Sequence, residues 1–226
     1  MSTNRKWVDL SQPLFDGMPR ASAHGDVSFW IDRLSPQTPA GPLSVNITHM
    51  EMATHVGTHI DASIHFIPSG KTIDQYPTDR FIGPAVILDM RREGVVPVTA
   101  AELQAAEPAI QSGDIVLIYF GYAERFRDES YHHHPYLSTD AADFLVERGA
   151  SILGTDTVTP DLPGPHRPEG FDWPVHQRLL GNEVLVIENL GPGLAKLLNR
   201  RVTVAAVPFR IEGADASPIT PLAIID

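Results

Sequence analysis

The chain has no cysteine among its 226 residues. That absence excludes disulfides and thiolate chemistry, and it limits any protein-held metal to His, Asp and Glu ligands. Basic residues are scarce, with 17 Lys and Arg against 28 Asp and Glu, a formal net charge of −11. A surface of that sign repels phosphates, so neither nucleic acid nor an anionic membrane is an expected partner. No G-x-S-x-G elbow and no phosphate-binding glycine loop is present, which disfavours serine hydrolysis and nucleotide chemistry. No apolar run approaches the ~20 residues that span a bilayer. The opening Met1-Ser2-Thr3-Asn4-Arg5-Lys6-Trp7 lacks the apolar core of a secretory signal. The expected location is the cytoplasm and the expected partner a small-molecule substrate.

What is present is an ordinary globular composition, 42% hydrophobic and 20% charged, with 20 prolines. So much proline points to loops and stiff turns rather than a helical bundle. Short apolar stretches alternate with helical patterns, which predicts a mixed α/β domain over residues 1–226. Strands are expected at Trp7–Leu10, Ser28–Arg33, Ser44–Met50, Ala85–Met90, Ile115–Phe120, Ser151–Gly154, Val184–Glu188 and Val202–Ile211. Helices are expected over Ala100–Ala106, Tyr122–Arg127, Asp140–Arg148 and Trp173–Leu180. Thr99 can cap the first, Ser138 or Thr139 the third and Asp172 the fourth. A turn of helix is expected after Gly193. The segment Pro160–Pro168 reads as a mobile loop or an ordered rim.

The chemistry concentrates in His55-Val56-Gly57-Thr58-His59-Ile60-Asp61-Ala62-Ser63-Ile64-His65. Three of the chain's ten histidines and one aspartate fall in these eleven residues. Imidazole nitrogen and carboxylate oxygen suit a borderline divalent cation. Gly57 lets the backbone turn tightly, so that His55 and His59 can face one point. A second pair lies downstream. The helix carrying His176 runs on for about four residues, ~6 Å. The chain turns at Gly181-Asn182, and a strand at ~3.3 Å per residue brings Glu188 back beside the helix start. A carboxylate closing the apolar run Val184-Leu185-Val186-Ile187 is costly to bury without a partner.

The run from His55 to Asp61, followed by His65, resembles the H-x-G-T-H-x-D-x-x-x-H signature of the cyclase family, which includes bacterial kynurenine formamidases and isatin hydrolases. Weaker matches follow in order: Asp9-Leu10-Ser11-Gln12-Pro13-Leu14, Gly83-Pro84-Ala85, His134-Pro135-Tyr136-Leu137-Ser138, Gly154-Thr155-Asp156-Thr157, Val175-His176, Glu188-Asn189-Leu190 and Ser217-Pro218. The resemblance implies a swivelling β/β/α fold with a barrel-like mixed sheet flanked by helices. It implies His55, His59, Asp61, His176 and Glu188 as metal ligands, with Asp61 able to bridge two metals. It implies His65 as the proton carrier and Ser217 as a pocket residue. One or two Zn2+ per chain, or Mn2+, are the implied cofactors, and a homodimer or homotetramer the implied assembly. Departures are visible too. Ser63 stands where many formamidases have proline, Gly191-Pro192 follows Asn189-Leu190 instead of a second Asn-Leu, and Met18–Asp26 lacks the tryptophan of the first loop.

The expected reaction is hydrolysis of an amide-type C–N bond, in a formamide or cyclic amide, by metal-held hydroxide with His65 shuttling the proton. A lactone or ester would suit the same site. A non-catalytic, metal-stabilised binding protein is the alternative of another class; a closed four-ligand centre with no spare proton carrier would mark it. Arg210 can meet a substrate carboxylate or make a surface ion pair. His132-His133-His134 reads as a surface loop, and His49 and His166 as non-ligands.

Overall fold

Alternation in the apolar runs partitions the core. In Ala85-Val86-Ile87-Leu88, residues 86 and 88 join one buried cluster and residues 85 and 87 the other. The same split holds for Ile115 and Leu117 against Val116 and Ile118, and for Leu185 and Ile187 against Val186. A period of two sends successive side chains to opposite faces. Both faces are therefore buried, which is why these strands read as continuous apolar runs. Each fully buried Ile or Leu contributes roughly 1.5–3 kcal/mol.

A computed structural model describes residues 6–225. Residues 1–5, within the opening segment weighed above for a secretory signal, lie outside that range. The strands in chain order are β1 (Lys6–Asp9), β2 (Ser28–Leu34), β3 (Gln37–Thr38), β4 (Gly41–Pro42), β5 (Val45–Glu51), β6 (His59–Asp61), β7 (Ile82–Asp89), β8 (Pro97–Val98), β9 (Ile115–Tyr119), β10 (Tyr136–Leu137), β11 (Ile152–Thr155), β12 (Leu185–Glu188), β13 (Arg200–Ala205), β14 (Ala216–Pro218) and β15 (Leu222–Ile225). The helices are α1 (Ala100–Ala105), α2 (Thr139–Glu147) and α3 (Pro174–Gly181).

Nine strands form one strongly curled, half-barrel sheet in the order β1-β15-β13-β7-β9-β11-β12-β6-β14. The central β7, β9, β11 and β12 run parallel. The pairs towards both edges are antiparallel. The helices cover one face, where Leu103, Leu145, Val175 and Leu179 share a cluster with Val86, Val116 and Val186. The other face is filled by short turns that supply Ile73, Phe81, Leu194 and Leu197. β2 and β5 make a separate two-stranded ribbon with exposed Trp30, Ile31, Leu34, Ile47 and Met50.

The expected swivelling α/β architecture is the observed one. Three details differ. The Val202–Ile211 strand stops at Ala205, and residues 207 and 209–211 are exposed with Pro208 among them. Tyr122–Arg127 shrinks to a 3-10 turn at Ala123–Arg125. Asp172 does not cap α3. The cap position is Trp173, in left-handed backbone (φ 51°) without a side-chain bond. The buried Asp161 takes the helix's free N–H groups instead, accepting from Val175 N and His176 N at 3.0 Å each.

Candidate metal centre

The site lies on the helix-covered face, where β6, β12 and the start of α3 meet. In the β6–β12 ladder His59 stands opposite Glu188 and Asp61 opposite Val186. Directly paired residues share a face, and so do residues two apart on a strand. His59, Asp61 and Glu188 therefore converge by register alone. Ile60, between them, points to the opposite cluster. The turn before β6 holds Gly57 at φ +69°, a region open to glycine. Thr58 clamps that turn: its hydroxyl donates to Asn189 O (2.6 Å) and accepts from Gln12 N (2.8 Å).

Each of three imidazoles is oriented by a bond on one nitrogen. His59 Nδ1 donates to Gly57 O at 2.8 Å. His176 Nδ1 donates to Asp161 Oδ2 at 2.6 Å. His55 Nε2 faces Asp215 Oδ2 at 2.9 Å. The remaining nitrogens turn inward. His55 Nδ1 lies 2.9 Å and His59 Nε2 3.3 Å from Asp61 Oδ1, and His176 Nε2 lies 3.7 Å from Asp61 Oδ2. Glu188 approaches His59 Nε2 and His176 Nε2 at 3.3 and 3.2 Å. Yet His59 Nε2 and both Asp61 oxygens are buried without a hydrogen bond. Buried polar atoms are rarely left so. Lone pairs that converge at short range without sharing protons are what a cation needs, and imidazoles anchored from outside are the usual support of such a site. The residues fit a divalent metal. Two overlapping clusters qualify, His55/Asp61/His65 and His59/Asp61/Glu188, sharing Asp61.

Electrostatics agree. Burial would lower the His55 imidazole, but Asp61 and Asp215 outweigh it and raise it to about 9. Burial would raise Glu188, but the facing His176 and His59 imidazoles hold it low. His65 is different: burial keeps it below its ordinary value despite Asp61. Its Nδ1 lies 3.3 Å from Asp215 Oδ2. Asp215 thus links His55 and His65.

The structure brings His55, His59, Asp61, His65, His176 and Glu188 together. It does not bring Ser217 to them. Ser217 pairs with Ile60, is fully buried, accepts from Phe209 N at 2.8 Å and donates to Pro218 O at 2.9 Å. Arg210 is exposed and outside the cavity lining. The histidine run is not simply a surface loop: His134 is fully buried with Nδ1 on Pro135 O (2.7 Å), and His132 lines the cavity. His133 alone is exposed, bonded to His166 at 2.8 Å. Residues unmarked by any sequence motif also matter: Asp161, Asp215 and His24, whose ring lies 5.4 Å from that of His55. A cavity of about 470 Å3 opens beside the centre, bounded by Phe66, Trp173 and the Gly164–Arg167 rim.

Fold and centre together define an enzyme of the metal-dependent hydrolase class. The family model described as "Putative cyclase" matches residues 8–162, and the chain belongs to the cyclase family. It is 30% identical to the kynurenine formamidase of Paracidovorax citrulli, over 97% of this chain and 96% of that one. The kynurenine formamidase of Bacillus anthracis is 28% identical over 95% of both. Among solved structures, isatin hydrolase A from Ralstonia solanacearum superposes with a TM-score of 0.84 at 27% identity, covering 99% of this chain and 93% of that one. Isatin hydrolase A from Labrenzia aggregata, bound to benzyl benzoate, gives 0.82 at 26% identity, covering 98% and 94%.

Proposed function

We propose that this protein cleaves the C–N bond of a formamide or cyclic amide in a small carbonyl compound. In this reading His55, His59, Asp61, His176 and Glu188 hold one or two divalent cations, and His65 moves the proton. The observation that carries it is the set of inward-facing, unpartnered lone pairs around Asp61. The formamidase and isatin hydrolase relatives support the bond type. A bound divalent cation supplies Lewis-acid activation of a water and of the substrate carbonyl.

The chain's residues do the rest. Asp161 and the Gly57 carbonyl fix the tautomers of His176 and His59. Asp215 orients His65 through Nδ1, leaving Nε2 to exchange a proton. A lowered pKa keeps His65 neutral at neutral pH, ready to accept the proton of the attacking water and return it to the departing nitrogen. The open cavity beside the centre favours catalysis over a closed structural site. Zinc and manganese both suit this mixed nitrogen and oxygen donor set. The exposed apolar ribbon supports assembly as a homodimer or homotetramer, and a cytoplasmic location accords with this reading.

Ester or lactone cleavage is a second reading, favoured by the ester bound in the Labrenzia neighbour. Elemental analysis, with turnover on formanilide, isatin and lactone substrates before and after chelation, tests both. Metal-restored cleavage of an amide supports the first. A protein that takes up no metal refutes both.

A further inference from the structure

The cavity wall is asymmetric in charge. Among its lining residues the one carboxylate is Glu188, whose oxygens face His59 and His176. Two arginines line it, and they differ. Arg20 is spent on Asp26 and the Gly25 carbonyl. Arg167 is half-buried; its Nε donates to Leu162 O at 2.7 Å, and its guanidinium stands 5.1 Å from the rings of both Phe171 and Trp173. Neither Nη group has a hydrogen bond or ion pair among the described residues. Here a guanidinium is fixed by one bond and flanked by rings, and its two-pronged end is left open in a protein of net charge −11. That geometry suits a carboxylate taken bidentately.

The neighbouring wall is Trp173. A bulky residue in left-handed backbone is a true outlier, and such strain persists where the surroundings demand it. At φ 51° the indole stands beside Phe66, with centroids 6.0 Å apart, at the cavity's edge. The first loop, without a tryptophan, contributes His24 from the His55 side. The aromatic wall of this pocket therefore comes from the head of α3.

We propose that Arg167 and Trp173 determine specificity, and that the substrate is a planar aromatic amide carrying a carboxylate and no ammonium group, as in an N-acylated aminobenzoate. Arg167 takes the carboxylate while the ring lies along Trp173. A zwitterionic amino-acid side chain finds no unengaged acidic partner on this wall. This rests on the amidohydrolase reading, so the test includes binding as well as turnover.

The test compares kcat/KM for 2-formamidobenzoate, formanilide and N-formylkynurenine in the zinc-loaded wild type, Arg167→Met and Arg167→Lys. Calorimetric binding of benzoate and benzamide is measured in parallel. The wild type should prefer 2-formamidobenzoate to either other substrate by about tenfold to a hundredfold, the range of a charge-assisted pair. Arg167→Met should collapse the preference over formanilide, and the benzoate-over-benzamide preference with it. Arg167→Lys should restore part of both. Absence of preference in the wild type, a better rate on N-formylkynurenine, or an Arg167→Met that slows both formamides in proportion would overturn the proposal. If no amide is cleaved at all, the amide reading fails by itself. Benzoate preference lost in Arg167→Met then still supports the anion pocket, and its absence removes that too.

Discussion

Asp161→Asn should weaken metal binding by about 10–100-fold, the range seen when the outer partner of a ligating histidine is changed. The carboxylate accepts three bonds: Val175 N at 3.0 Å, His176 N at 3.0 Å and His176 Nδ1 at 2.6 Å. An amide of the same shape offers one oxygen. Placed on the His176 side, it accepts from that residue, but its NH2 then opposes the Val175 N–H. One buried donor is left unpaired, at about 1–3 kcal/mol, and the imidazole bond loses its charge assistance, at about 1 kcal/mol more. A total of ~2–4 kcal/mol lowers Tm by roughly 5–15 °C at this chain length. Competition with a chromophoric chelator gives the affinity, and calorimetry of the metal-free protein gives the stability. A large Tm loss with wild-type metal affinity would make Asp161 a helix cap and nothing more. Wild-type values for both would refute the hydrogen-bond accounting itself.

His65→Ala should retain metal and lose about 10²–10⁴ of turnover, the usual yield of general acid–base catalysis; single-turnover kinetics on metal-loaded variant decides it. Metal affinity should fall as pH falls. With His55 raised to about 9, the metal-free site is protonated at pH 7 and that proton must leave, so affinity gains about tenfold per pH unit per displaced proton until pH passes about 9. Calorimetry in buffers of different ionisation enthalpy counts the protons, and a pH-independent affinity would contradict the assignment of His55. Gly57→Ala should destabilise by about 1–2 kcal/mol, because a Cβ is strained at φ +69° and lies 2.5 Å from Leu14 Cδ2. Thermal unfolding and metal content should drop together.

The central strands were legible because both their faces are buried and their sequences are unbroken apolar runs. The candidate site stood out for a different reason: His55, His59, Asp61 and His65 crowd into eleven residues, and Glu188 closes an apolar run where a carboxylate is costly to bury. β6 itself was not legible. Its three residues, His-Ile-Asp, are too few for a period of two to be read, and only the ladders to β12 and β14 make them a strand. Asp161 was hidden because capping rules look next to the helix, and this cap acts from 14 residues away. Asp215 and Arg167 are single charges without local pattern. Only the tertiary fold brings Asp215 to His55, 160 residues away in sequence.

The dependence on register explains why so short a strand can hold two candidate donor residues, His59 and Asp61, in place. β6 is bound on both edges, by β12 and β14, and Ala62 N extends the lock by donating to Asp215 O at 2.8 Å. A slip of one residue would turn His59 and Asp61 into the apolar cluster and Ile60 into the polar centre. The cost on both faces at once forbids it. The same hydrogen bond ties the backbone of Asp215 to the end of β6, while its side chain bonds His55 and approaches His65. The residue that would orient the proposed proton carrier is thus fixed to the strand that would supply ligands. In the proposed mechanism, metal holding and proton transfer are set by one piece of backbone geometry rather than by two independent loops.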